Sequence, residues 1–370
     1  LLRFAAINTS YFHERFDMSI KLGFVGGGGI GNVHIQAAKA TGMELVCLAD
    51  VNGDIASSVA KAEGIGHFTS NPQEMFESDD IEAVVIGVPN KFHAPLAIAA
   101  MKAGKDVLLE KPMALNVAEC DAIIATAKET GRILQIGQVQ RYSSVATTAK
   151  AFINAGRIGK VYHAKANYYR RRGIPGLGGW FTTKALSGGG PLIDLGVHII
   201  DLMMYLMDFP KPTRVSGKVY ANFGPRMKDY LYEGMWAGPP RLDGKFDVED
   251  SAHALIRFEG GATLEVNTTW AGNFPDDSMS NVMGLFGDQG GMTFELGGSS
   301  VKLATEQDGH NVDIEPKLRG ANPFEEQTKT FAGHVKDRTQ PHASGDRGRV
   351  IQSLLDGIYA SSEQDREVEL

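Results

Sequence analysis

Two groups of residues in this chain have the types and spacing for chemistry. The first is Gly26-Gly27-Gly28-Gly29-Ile30-Gly31, in which Gly26, Gly28 and Gly31 match G-x-G-x-x-G. That pattern binds a dinucleotide pyrophosphate, and each glycine answers a separate demand. Gly26 permits a tight turn, Gly28 lets the backbone approach the phosphates, and Gly31 lets a helix pack close to its strand. The helix start at Gly29 and Ile30 offers free N–H groups and a positive dipole end. Asp50 ends the next apolar run, about 20 residues on, where a carboxylate accepts hydrogen bonds from ribose hydroxyls. Val51-Asn52-Gly53-Asp54 bring no arginine or lysine for a 2′-phosphate, and Asp50 would repel one, so NAD is expected rather than NADP.

The second group is Gly188-Gly189-Gly190-Pro191-Leu192-Ile193-Asp194-Leu195-Gly196-Val197-His198. Asp194 and His198 stand four apart and share one face of a helix. Asp201, Tyr205 and Asp208 continue the stripe, surrounded by Leu192, Ile193, Leu195, Ile199, Ile200, Leu202, Met203 and Met204. A helix this apolar is buried, so its polar stripe must face either solvent or an internal cleft.

Elements must position these groups. Residues 19–26, 44–49, 83–88, 106–109 and 133–136 read as short buried strands alternating with helices, which makes a doubly wound parallel sheet. Ligands of such sheets bind beyond the carboxyl ends of the strands. Pro89, Asn90, His93, Glu110, Lys111 and Gln138 fall on that edge and are candidates for holding the dinucleotide, with Arg141 just beyond. Lys111 is pinned by Pro112, and a cis Lys111–Pro112 bond is expected in so constrained a turn. Later, residues 161–170, 214–223, 252–258, 263–270, 281–286 and 291–295 read as strands, with Glu259-Gly260-Gly261 as a hairpin turn. Residues 322–335 and 350–361 read as amphipathic helices.

A chain of 370 residues exceeds one growing core, so it is expected to divide into an extension or disordered arm at 1–18, a nucleotide-binding domain at 19–142 and a substrate-binding and oligomerisation domain at 143–370. A net charge of -7 argues against a nucleic-acid surface. Cys47 and Cys120 lie in apolar runs as buried thiols of a reducing compartment. The richest apolar run, 192–209, carries three aspartates and a histidine, too many for a bilayer span, and residues 1–17 do not resemble a secretory signal. A cytoplasmic location is expected. The remaining histidines show no metal-ligand spacing, so no metal is expected.

The glycine turn, Asp50, Glu110-Lys111-Pro112 and Gly188 to His198, in this order, resemble the Gfo/Idh/MocA oxidoreductases, over nearly the whole chain from residue 20. The resemblance implies an N-terminal Rossmann domain followed by an α/β domain with a large, open, mostly antiparallel sheet. It also implies a homodimer or homotetramer, because relatives cover the open sheet with a second subunit. Lys111, Asp194 and His198 match the family's catalytic trio. His198 is then the general base toward a secondary hydroxyl of a sugar, glycoside or cyclitol, and Lys111 stabilises the alkoxide. Asp194 binds a neighbouring hydroxyl and holds the other two. Family alternatives are a closed-cycle enzyme with tightly bound NAD, either a sugar–sugar oxidoreductase or an NAD-using glycosidase, and a non-enzymatic dinucleotide sensor. The insert Tyr168 to Phe181 reads as a wall over the substrate, through Arg170, Arg172 and Trp180, or as an anchor for a neighbouring subunit. A second loop, Gly224 to Asp247, with Tyr230, Tyr232 and Trp236, is expected to close over the same region.

Overall fold

The computed structural model describes residues 19–232, 235–275, 278–320 and 322–370. The extension expected at 1–18 lies outside them. The first sheet is parallel and contains β1 (Lys21–Val25), β2 (Glu44–Ala49), β3 (His67–Thr69), β4 (Ala83–Ile86), β5 (Asp106–Glu110) and β6 (Leu134–Gly137). Between them run α1 (Gly29–Ala40), α2 (Gly53–Glu63), α3 (Pro72–Phe76), α4 (His93–Lys102) and α5 (Val117–Thr130). Local chemistry sets their ends. Asn52 caps α2 by accepting from the Asp54 and Ile55 N–H groups, and left-handed Gly64 closes it. Asn116 caps α5 in the same way, with Gly131 at its other end. The strand order is β3-β2-β1-β4-β5-β6. The winding reverses beside β1 and β4, and a crevice opens at that reversal.

The second half begins with α6 (Ser144–Asn154), β7 (Val161–Tyr169) and the short α7 (Lys184–Ser187). A π-helical turn, Leu192–Gly196, then runs into α8 (Val197–Leu206). After these come β8 (Pro212–Tyr220), β9 (Ser251–Phe258), β10 (Thr263–Thr269), β11 (Val282–Gly287), β12 (Gly290–Glu295), β13 (Val301–Gln307) and β14 (His310–Ile314). The chain finishes with α9 (Pro323–Asp337), α10 (Gly345–Gln364) and β15 (Val368–Glu369). Nine strands form one sheet in the order β14-β13-β12-β11-β7-β10-β9-β8-β15. Neighbours are antiparallel except β7 and β10, which run parallel. Alternation decides the faces. Ala164, Ala166, Leu264 and Val266 point inward and pack with Ile199, Ile200, Met203, Leu354 and Leu355. His163, Lys165 and Asn167 lie on the opposite face.

The run Lys184–Leu206 is long and apolar enough to cross a bilayer, contrary to the sequence expectation, but 83% of its apolar window is buried inside this fold. The C-terminal helices serve both halves. Phe331, Ala332 and Val335 of α9 join Ile20, Leu22, Phe24 and Ile35 in one core. Residues 343 and 344 extend the first sheet along β6, where the Ile136 N–H donates to the Ala343 carbonyl.

Candidate active site

The glycine turn follows β1. Gly26 has φ +101°, and a Cβ there would lie 2.3 Å from the Gly87 carbonyl oxygen. A Cβ on Gly31 would sit 1.9 Å from the Gly26 oxygen, so helix and turn can touch only through glycine. Gly28 and Gly29 face open space. No side chain caps α1 and no acid lies in its first turn, which leaves its N–H groups for an anion. Asp50 accepts from the Gly27 N–H (2.8 Å) and the Asn52 N–H (2.9 Å), which fixes its carboxylate. Gly26, Gly28, Gly29, Ile30 and Asp50 line one cavity, whereas Gly31 acts behind them through packing. This cradle fits a dinucleotide with a free 2′-hydroxyl.

The edge beyond β4 and β5 supplies the next groups. The Lys111–Pro112 peptide is cis. His93, expected to touch the dinucleotide, is instead fully buried. Its ring nitrogens lie 2.7 Å from the Pro112 carbonyl and 2.9 Å from that of Val88, so it braces the turn from behind. Pro89 and Asn90 line the cavity, and Asn90 Nδ2 donates to the Ser187 carbonyl (2.7 Å), tying the two halves together. Glu110 also lines it. His34 donates through Nε2 to Glu110 Oε1 (2.7 Å), and the Lys111 N–H donates to Oε2 (3.1 Å). Burial alone would raise this carboxyl's pKa, but the His34 hydrogen bond and the charges of His34 and Lys111 hold it below the usual range. Gln138, another dinucleotide candidate, is buried away from the cavity, which its neighbours Val139 and Gln140 line instead.

The triplet before the helix is glycine for steric reasons. Gly188 has φ +83°, a Cβ on Gly189 would fall 1.9 Å from the Tyr359 hydroxyl, and one on Gly190 would fall 2.0 Å from the Glu249 carbonyl. Glu249 accepts at Oε1 from the Leu192 N–H (3.1 Å) and the Tyr359 hydroxyl (2.9 Å), anchoring the π turn. Such turns recur at functional sites because they shift side chains off the α-helical track. Asp194 sits within it. Lys111 Nζ donates to the Asp194 carbonyl (3.1 Å) and to Oδ1 (3.4 Å), while Trp270 Nε1 donates to Oδ2 (3.0 Å). His198, one turn on, lines the same cavity. Burial and the positive charges of Lys111 and Arg170 hold its pKa well below the ordinary value of 6.5, so its imidazole is neutral at physiological pH.

The polar stripe divides. Asp194 and His198 face the cleft, but Asp201 turns inward to Arg141, which donates through Nε to Oδ2 (2.7 Å) and through Nη2 to Oδ1 (2.5 Å). Arg141 is 0% and Asp201 1% exposed at the side chain, so this ion pair is dry. Asp208 pairs with Lys150.

The loop after β7 forms a wall. Arg170 lines the cavity, braced by the Tyr168 hydroxyl (3.2 Å) and the Gly173 carbonyl (3.3 Å). Arg172, expected to bind substrate, points away and donates to the Gly272 carbonyl (2.8 Å) and Asn273 Oδ1 (2.9 Å), so it fastens the loop to the end of β10. Trp180, Phe181 and Trp236 complete the wall. Of the other loop aromatics, Tyr230 is buried in a small core with Ile174 and Leu177, and Tyr232 is exposed outside the lining. The cavity, about 910 Å³, is bounded by both halves. Trp270 is a contributor that no sequence motif marks.

A cradle for NAD and a Lys–Asp–His cluster across one cavity define a dinucleotide-dependent oxidoreductase. Residues 20–138 match the oxidoreductase family's NAD-binding Rossmann fold, and residues 146–293 match the GFO/IDH/MocA C-terminal domain. The chain belongs to the Gfo/Idh/MocA oxidoreductase family. It is 29% identical to the D-glucoside 3-dehydrogenase of Escherichia coli (strain K12), across 89% of this chain and 90% of that one. It is 30% identical to the scyllo-inositol 2-dehydrogenase (NAD(+)) of Bacillus subtilis (strain 168), across 72% of each. In fold it superposes on levoglucosan dehydrogenase in complex with NADH and levoglucosan, with a TM-score of 0.84 and 21% identity over 95% of this chain and 99% of that one.

Proposed function

We propose that the protein oxidises a secondary hydroxyl of a sugar, glycoside or cyclitol, with His198 as general base. The observation that carries this is the cluster at the cavity's inner end, where Lys111 is held to Asp194 beside a neutral His198. The relatives' names, D-glucoside 3-dehydrogenase and scyllo-inositol 2-dehydrogenase, support the substrate class. The Gly26–Gly31 turn and Asp50 would hold NAD, which when bound supplies the acceptor for the hydride leaving the carbinol carbon. His198 takes the hydroxyl proton as that C–H bond breaks and the C–O bond becomes a carbonyl. Lys111 donates to the reacting oxygen and stabilises its developing negative charge. Asp194 keeps Lys111 in place, and the remaining lone pairs of its carboxylate accept from an adjacent hydroxyl. The open face of the nine-stranded sheet, with His163, Lys165 and Asn167, is the surface proposed to pair in a homodimer or homotetramer.

The test is NADH formation with NAD and a panel of inositols, hexoses, glycosides and sugar acids. Turnover on one class, lost in Lys111→Ala, is expected. Silence across the panel would defeat the reading.

A further inference from the structure

Among the aromatic residues of the wall, Trp236 is the exposed one. It lines the same cavity as Lys111, Asp194 and His198 yet is 61% exposed, a large indole left open at the mouth. The loop that carries it is fixed. The Ala237 N–H donates to the Pro175 carbonyl (3.0 Å) and the Arg241 N–H to the Leu177 carbonyl (2.8 Å). Glycine lets these two loops meet: a Cβ on Gly178 would lie 1.8 Å from the Arg241 oxygen, and one on Gly244 would lie 2.2 Å from the Gly178 oxygen. Phe181 joins the rings into a series. Its centroid is 3.8 Å from that of Trp180, 5.1 Å from Trp236 and 6.4 Å from Trp270. Trp270 ends the series at Asp194. A row of rings thus leads from the reacting centre to solvent.

From this geometry, and resting on the polyol reading above, we infer that the cavity holds a second, outer subsite and that the substrate has two rings. The inner ring lies at Lys111, Asp194 and His198. The outer ring, a second sugar or an aromatic aglycone on the anomeric carbon, covers Trp236 beside Trp180. The occupant's chemistry follows from the lining. A pyranose ring presents apolar C–H faces suited to an indole and carries hydroxyls on its rim, and this indole stands in the wall of a ligand cavity rather than on open surface. The dinucleotide does not fill this end, because its cradle lies at Gly26 to Gly31 and Asp50, on the first sheet. Two ring-to-ring steps, of 6.4 Å and 5.1 Å, separate Trp236 from Trp270 at the inner cluster, so on this reading a free monosaccharide or a cyclitol seated there does not cover Trp236.

Calorimetric titration of the NADH-saturated protein with glucose, cellobiose and phenyl β-D-glucoside tests this. The two-ring ligands are expected to bind about tenfold more tightly than glucose, which corresponds to about 1.4 kcal/mol. In Trp236→Ala that ratio should fall toward one, and Trp236→Phe should restore part of it. A ratio near one in the native protein overturns the subsite, as does a tenfold ratio that survives Trp236→Ala. If a monosaccharide or cyclitol turns over while no two-ring compound gains affinity, the subsite fails and the polyol reading stands. Absence of binding by all three, with silence across the dehydrogenase panel, defeats both.

Discussion

Replacing Trp270 by Phe removes one N–H from the candidate site and trims one buried ring. Trp270 is 0% exposed, and its Nε1 donates to Asp194 Oδ2 at 3.0 Å, while Lys111 engages Oδ1 and the main-chain carbonyl of the same residue. The carboxylate is therefore held from two sides, and Lys111 is aimed by the side chain that Trp270 restrains. A hydrogen bond to a charged acceptor contributes about 1.5–3 kcal/mol. If that restraint is needed where charge develops on the substrate oxygen, losing it lowers kcat by about 10- to 100-fold. KM for the sugar should move far less, since the outer wall is untouched. The assay is steady-state turnover with NAD and the best substrate of the panel, repeated with deuterium on the carbinol carbon. A slowed hydride step makes the isotope effect on kcat rise. Thermal unfolding separates this from packing, because the smaller ring also leaves a void that costs stability. A kcat within about twofold of native, with only the melting temperature reduced, would refute the argument.

Three further expectations follow from buried charges. As the proposed base His198 must be neutral, and its depressed pKa keeps it so down to well below pH 6.5, so log kcat/KM should be flat through neutrality and fall only in acid. Arg170 is one of the positive charges that disfavour the imidazolium, so Arg170→Met should raise the His198 pKa and move the acid limb to higher pH; a limb that stays put in a pH–rate series contradicts this. Arg141→Met strands Asp201 as an unpaired buried charge and should cost about 3–5 kcal/mol in urea unfolding, whereas the double replacement Arg141→Met with Asp201→Leu should recover most of the loss.

What was legible in the sequence is what is local. The Gly26–Gly31 turn and Asp50 are read from backbone needs within one strand–turn–helix unit, and the structure puts them where those needs require. The cis Lys111–Pro112 turn also follows from adjacent residues. Partners far apart in the chain are not legible from local pattern, and the pairing of Lys111 with Asp194 came from the family resemblance alone. Trp270 finds Asp194 across 76 positions and Arg141 finds Asp201 across 60, through tertiary packing that no local pattern announces. Helical periodicity puts the stripe from Asp194 to Asp208 on one face, but only the neighbouring elements divide that face between a cleft, a dry ion pair and Lys150. His93 and Arg172 were chosen by type and position, and each proved to be tied to backbone carbonyls. The hairpin of β13 and β14 went unread, although Val301 and Leu303 alternate with polar neighbours.

The return of α9 to the first sheet has a consequence for synthesis. The core around Ile20, Leu22 and Phe24 is closed by Phe331, Ala332 and Val335, which the ribosome makes near the end of the chain. At about 5–20 residues per second, the roughly 300 residues between Phe24 and Phe331 take about 15–60 s to emerge. Through that interval the nascent nucleotide-binding half has one flank of its sheet incompletely covered, so it matures only once α9 has been made. A fragment ending near residue 142 would carry every glycine of the cradle and still lack the residues that finish its interior.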